Sequence, residues 1–223
     1  MTPWLDKLVS IGSDPLCGSI VPADQSSLAS HGALGGELLE LLRAKNGFFA
    51  FESALQVFPL GGTGDDLEIS AWNRPSTWRW TYSGLIPDFA VFFSQDVFGN
   101  QFALLDGVIA RFVAEGGELQ KVASSLEAWA QVILTDWRQY LGYDLAHVWQ
   151  TLHRPLREGE RLVPKIPFVL GGEYDVSNLY AGNIVETMRF RGELSRQIAG
   201  HADGTRVNLV PKNVPPRHDR AAQ

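Results

Sequence analysis

Three turn signals set inside one apolar stretch constrain this chain more than any other feature. Residues 89–122 read FAVFFSQDVFGNQFALLDGVIARFVAEGGELQKV. Phe89, Val91 and Phe93 alternate with Ala90, Phe92 and Ser94, the two-residue period that sends successive side chains to opposite faces of a strand. Apolar residues fall on both faces, so this strand is expected at the centre of a sheet covered on both sides. Gly99-Asn100, Asp106-Gly107 and Gly116-Gly117 each supply residues that accept the positive φ of a tight reversal. Four apolar runs joined by three such turns predict an antiparallel meander, whose local pairings cost less loop-closure entropy than a parallel sheet would.

The flanking segments predict the layers that cover it. In GELLELLRAKNG, Leu38, Leu41 and Leu42 share a helical face, and Asn46-Gly47 ends the helix. Residues 48–51 form an aromatic run, and residues 54–58 a short strand closed by Pro59. In LEISAWN, Leu67, Ile69 and Ala71 alternate with other side chains, which predicts a half-buried strand. SSLEAWAQVILTDW carries Ser124 and Glu127 at capping-box spacing, with Leu126, Trp129, Ala130, Ile133, Leu134 and Trp137 on one face. Asp144 is placed to cap a further helix with Leu145, Val148, Trp149 and Leu152 inward, ended before Pro155. Beyond it the composition turns to Pro, Gly and Arg, with a possible strand at residues 167–170, an extended start at 178–180, a helix after Asn183 and a short strand in TRVNLV.

The fold class expected is therefore α+β: an antiparallel β-meander sheet covered by helices, in a single domain with a C-terminal extension. The expected boundaries are a loosely tethered N-terminal arm at 1–30, the α+β unit at 31–153, the extension packed on it at 154–212, and a disordered tail at 213–223.

Charge narrows the partners. Residues 1–150 hold 8 Lys and Arg against 17 Asp and Glu, a net −9, and residues 151–223 hold 11 against 8, a net +3, which together give the −6 of the chain. An acidic front argues against nucleic-acid binding, which needs clustered cations on phosphates, and suits a basic protein partner or simply a solvated surface. A composition 45% hydrophobic and 20% charged belongs to a globular chain, not a disordered one. The sequence has no apolar run of about 18 residues to span a membrane and no signal-peptide pattern at its start, so it reads as cytoplasmic. Cys17 is the single cysteine and reads as a small apolar filler.

Catalytic arrangements are sparse. Gly61-Gly62-Thr63-Gly64 is followed by no Lys-Ser or Lys-Thr pair, so it reads as a loop and not as a phosphate cradle. There is no G-x-S-x-G elbow and no H-E-x-x-H, and His147 and His153 fall on different helical faces, so no catalytic, cofactor or metal residue is assigned. The carboxylate groups Asp65, Asp66 and Glu68, Asp88 with Asp96, Glu115 with Glu118, and Glu173 with Asp175 sit mostly in turns, where Asp is favoured for its bond to the backbone. Trp78, Trp80 and Tyr82 interleave with Arg74 and Arg79, a pattern that either stacks bases or caps the end of a core.

The order of these elements resembles the SUKH superfamily, bacterial immunity proteins related to fungal cell-wall assembly regulators. The likeness covers residues 34–153 and rests on the helix ending in LLRAKNGFFAFESALQVFP, the acidic loop, FFSQDVFGNQF at 92–102, and the helix after SSLEAWA. The region after Pro155 looks like an extension found in larger members. The resemblance implies a non-enzymatic domain that binds and blocks a cognate toxin, needs no cofactor, and has variable contact residues, so none is carried over. A regulatory module with an endogenous partner and a small hydrolase are the alternative readings. The surface expected to meet the toxin is the acidic loop Asp65, Asp66 and Glu68 beside Trp72 and Trp78, because hot spots favour aromatics framed by complementary charge.

Overall fold

A computed structural model of the chain describes residues 1–20, 25–61, 67–201 and 204–205. The meander forms as expected: β3 (Val91–Asp96), β4 (Gln101–Leu105), β5 (Val108–Val113) and β6 (Glu118–Ala123) are sequential antiparallel neighbours. Asp106 and Gly107 reverse the chain between β4 and β5 with φ of 45° and 73°, the double positive φ that suits a two-residue hairpin. The short strands β1 (Phe48–Ala50) and β2 (Leu55–Val57) extend the sheet to six strands in the order β1 to β6, all antiparallel. The chain is an α+β protein.

Both faces of the sheet are buried along β2, β3 and β4, while the edge strand β6 is largely exposed. Helices α1 (Pro3–Ile11), α2 (Ser26–Ala29) and α3 (Gly32–Ala44) precede the sheet, and α5 (Leu126–Thr135) follows it. Trp129 of α5 meets Phe93 and Phe102 edge-on, with ring centroids 5.1 and 5.8 Å apart, so α5 lies on the face those rings share. The opposite face carries Phe92 and Phe112, which pack with Trp78 and Tyr82 in edge-to-face and tilted contacts. On that face Gln56, Gln95 and Gln101 are register partners across β2, β3 and β4, and all three are buried. Their amides join in a ladder: the Gln95 amide lies 2.7 Å from Gln56 Oε1 and 3.1 Å from Gln101 Nε2. Trp72 Nε1 closes one end on Gln101 Oε1, and the Arg161 guanidinium closes the other on Gln56 Oε1. Buried amides must pair or lose their hydration uncompensated; the ladder links the Gln95 and Gln101 amides to Gln56 Oε1, while Gln56 Nε2 is buried without a hydrogen-bond partner among the described residues.

Several expectations change. Within the expected N-terminal arm, α1 is not loosely tethered, because Leu5 and Leu8 are buried and the Glu127 carboxylate accepts from Trp4 N and Leu5 N at 3.0 and 3.1 Å. Glu127 therefore caps α1 and not its own helix, whose N-cap is Ser125, with Oγ accepting from Ala128 N at 3.1 Å. LEISAWN forms the helix α4 (Ile69–Trp72), not a strand, because Glu68 offers its carboxylate to two helix N–H groups. Trp137 begins α6 (Trp137–Leu141), and α7 (Tyr143–Leu152) is capped by Gly142, with Asp144 in its first turn. On α7, Ala146 and Trp149 face inward while Val148 and Leu152 are exposed.

The extension is built as β7 (Glu160–Pro164) paired with β8 (Leu179–Asn183), then α8 (Ile184–Ile198). Leu162 N donates to Val97 O at 2.9 Å, and α8 packs on the 3-10 turn Arg79–Tyr82, which ties the extension to the sheet. Residues 167–170 are not a strand but lead into the 3-10 turn Phe168–Leu170. The strand expected in TRVNLV beyond Thr205, and the expected tail, lie outside the described residues.

Candidate functional site

The predicted contact surface does not survive at the residues the structure describes. Trp72 and Trp78 are fully buried, 5.5 Å apart between ring centroids, within the aromatic layer that also holds Phe58, Tyr82, Phe92 and Phe112. Neither indole offers surface to a partner; of the aromatics at 78–82, Trp78 and Tyr82 take the core reading while Trp80 is 48% exposed. Glu68 is also buried, its carboxylate accepting from Ala71 N at 2.7 Å and from Ser70 N and Gly61 N at 3.2 Å. Asp65 and Asp66 lie outside the described residues.

The other carboxylates have similarly local duties. Asp96 is buried, accepts from Phe98 N and Asn100 N at 2.9 Å to shape the β3–β4 turn, and pairs with Arg111 at 2.9 Å. His147 pairs with Glu52 at 2.8 Å, and this bond and that from Tyr143 hold the Glu52 carboxyl below its ordinary range. His153 stacks on Trp149, with ring centroids 4.6 Å apart. Among the described residues no three His, Cys, Asp or Glu side chains are placed to share a metal ion.

What the structure does present is the loop at 165–178, which joins β7 to β8. Free loops of this length are costly to order, and here hydrogen bonds hold the chain. Lys165 N donates to Asn178 O at 2.7 Å, and Lys165 Nζ donates to Ser177 O at 2.6 Å, which closes the loop's neck. The Asn178 side chain fills the interior, accepting from Ile166 N at 2.9 Å and donating to Ile166 O and Glu173 O, both at 3.0 Å. Gly172 passes so near this knot that a Cβ would lie 1.9 Å from Ile166 O, so no other residue fits. Asp175 Oδ1 accepts from Ser177 N at 2.8 Å, and these bonds to Ser177 keep its carboxyl below the ordinary value.

The loop is also anchored to the sheet. Val169 N donates to Glu115 Oε2 at 3.0 Å, and Glu115 Oε1 lies 3.7 Å from Arg191 Nε of α8. Phe168 meets the buried Phe98 edge-on at 5.5 Å, and Tyr174 stacks flat on Phe168 at 3.8 Å and 6°. A rigid aromatic file thus runs from the core to Tyr174, which is 70% exposed. Ile166 at 58% exposure, with Val169 and Leu170, completes an apolar ledge. Beneath it opens a groove of about 380 Å³, lined by Phe98, Val169, Tyr174, Glu115, Glu118 and Arg111 among others. A smaller hollow of about 320 Å³ lies at the other end of the meander, lined by His31, Leu34, Phe89 and Asp106, where burial lowers the His31 pKa.

Sequence reasoning missed the ledge because IPFVLGG reads as an apolar run and hence as strand. The signal that could have found it is the composition of IPFVLGGEYDV, with proline, two glycines and a tyrosine between carboxylates, which marks an ordered turn and not a ladder.

Among the described residues, no helix is long and apolar enough to cross a membrane. No family model matches the chain, and no curated protein matches it. Among solved structures the fold is similar to that of Atu4351 from Agrobacterium tumefaciens, with a TM-score of 0.63 over 83% of this chain and 86% of that one at 13% identity, a likeness of fold alone.

Proposed function

We propose that this chain is a non-enzymatic immunity protein that acts in the cytoplasm by binding and blocking a cognate bacterial toxin. The observation that carries the reading is the ordered loop at 165–178: it exposes Ile166, Val169, Leu170 and Tyr174 while hydrogen bonds within it hold the chain, and exposed apolar groups kept rigid in water mark a surface for another protein. The resemblance of residues 34–153 to the SUKH superfamily supplies the kind of partner. The net charge of −6 favours a basic one, since opposite fields speed encounter.

The test is co-expression with the product of the neighbouring gene in a host that this product alone poisons. Restored growth with the two proteins co-eluting is the expected result. Growth arrest with no co-elution contradicts the reading, and co-elution with a host protein in its place supports an endogenous regulatory partner.

A further inference from the structure

We propose that the groove beside Tyr174 receives a lysine or arginine side chain of the toxin, its stem along Val169 and the Tyr174 ring and its charge against Glu118. The inference rests on the protein-binding reading above and names the surface and the chemistry that surface selects.

Three features point to a cation. First, each guanidinium group of the groove already has a carboxylate beside it: Arg111 pairs with Asp96 at 2.9 Å through Nη2, its Nε having no hydrogen-bond partner among the described residues, and Arg191 lies 3.7 Å from Glu115 and donates to the Phe98 carbonyl. Second, the exposed carboxylates of Glu118, on the groove, and Glu173, beside Tyr174 in the chain, have no hydrogen bond or ion pair among the described residues. The uncompensated charge at the mouth is therefore negative. Third, one part of the wall is apolar, made by Phe98, Phe168, Val169 and Tyr174, beside polar and charged residues, which suits a side chain with an apolar stem and a cationic head, and the Tyr174 face adds a cation–π contact.

The same charges decide against a second copy of this chain. A two-fold contact through the ledge would bring both copies of Glu118 and Glu173 into one interface, an excess of like charge that opposes association. A basic toxin surface meets the same carboxylates with attraction.

Tyr174 is preorganised by its stack on Phe168, so binding orders no new rotamer there and its truncation removes a hot spot without disturbing the core. The experiment titrates wild type, Tyr174→Ala, Glu118→Lys and, as a control on the exposed face of α7, Leu152→Asp with the purified neighbouring-gene product. Tyr174→Ala is expected to weaken binding ~30-fold or more. Glu118→Lys is expected to weaken it about tenfold, mainly through slower association, with less salt dependence than wild type. Leu152→Asp should bind as wild type, and all variants should melt as wild type because each position faces solvent. Wild-type affinity in both ledge variants overturns the proposed surface while leaving protein binding intact. Wild type that neither binds nor protects overturns both.

Discussion

At the scale of single residues, burial has turned groups that sequence reading treats as surface chemistry into parts of the frame. Tyr82 is fully buried and donates to Ala114 O at 2.7 Å; burial holds its phenol well above the ordinary value of 10, only partly countered by the charge of Arg191. Its folded pKa is raised, so its contribution to stability is complete below pH 10 and is lost as pH rises above that value, where the unfolded phenol ionises and the folded one does not. Arg161 works the other way: burial pushes its pKa down to about 10, so the unfolded chain binds more protons above that pH and stability from this group rises. Comparing wild type with Tyr82→Phe separates the two, because Arg161 is common to both. The variant is expected to lose about 1 kcal/mol at neutral pH, where it forfeits a buried hydrogen bond, and the deficit should narrow above about pH 10, checked by urea unfolding at both values. Trp72 and Trp78 show why the contact residues were misplaced. An aromatic beside an arginine has the same local sequence whether it faces a partner or a core, and only the path of α4 and the Arg79–Tyr82 turn across the sheet decides between them.

At the scale of elements, the meander and the α5 stripe were legible because each is a period repeated over many residues. Leu126, Trp129, Ala130 and Ile133 are all buried as the helical spacing requires. Trp129→Ala is expected to cost ~3–5 kcal/mol, read as a lowered unfolding midpoint, since the indole packs on Phe93 and Phe102; a midpoint unchanged from wild type would place the stripe at the surface. Elements decided by one long-range bond were not legible. Glu127 has capping-box spacing with Ser124, yet it caps α1 more than 120 residues away in the chain, a choice no local window contains. The FFSQDVFGNQF segment that carries the family resemblance spends its polar residues on structure: Gln95 and Gln101 in the buried ladder, Asp96 and Asn100 in the turn, with Asn100 Oδ1 accepting from Ala114 N at 3.1 Å. That motif specifies a fold, and the contact surface proposed above lies elsewhere, on the loop at 165–178.

At the scale of the molecule, a sheet covered on both faces along β2, β3 and β4 and crossed there by its amide ladder supplies a rigid support, and the extension adds to it a ledge that is apolar, aromatic and fringed with carboxylate. On the function proposed above, opposite charge would steer a basic toxin to this surface and the Tyr174 file would hold it. The most direct measurement is hydrogen exchange of this chain, free and bound to the neighbouring-gene product. Strong added protection across residues 166–175 and the Gly116-Gly117 turn, with α7 unchanged, is the expected footprint. Protection confined to α7 or another face, with exchange at 166–175 as fast as in the free protein, would contradict the account.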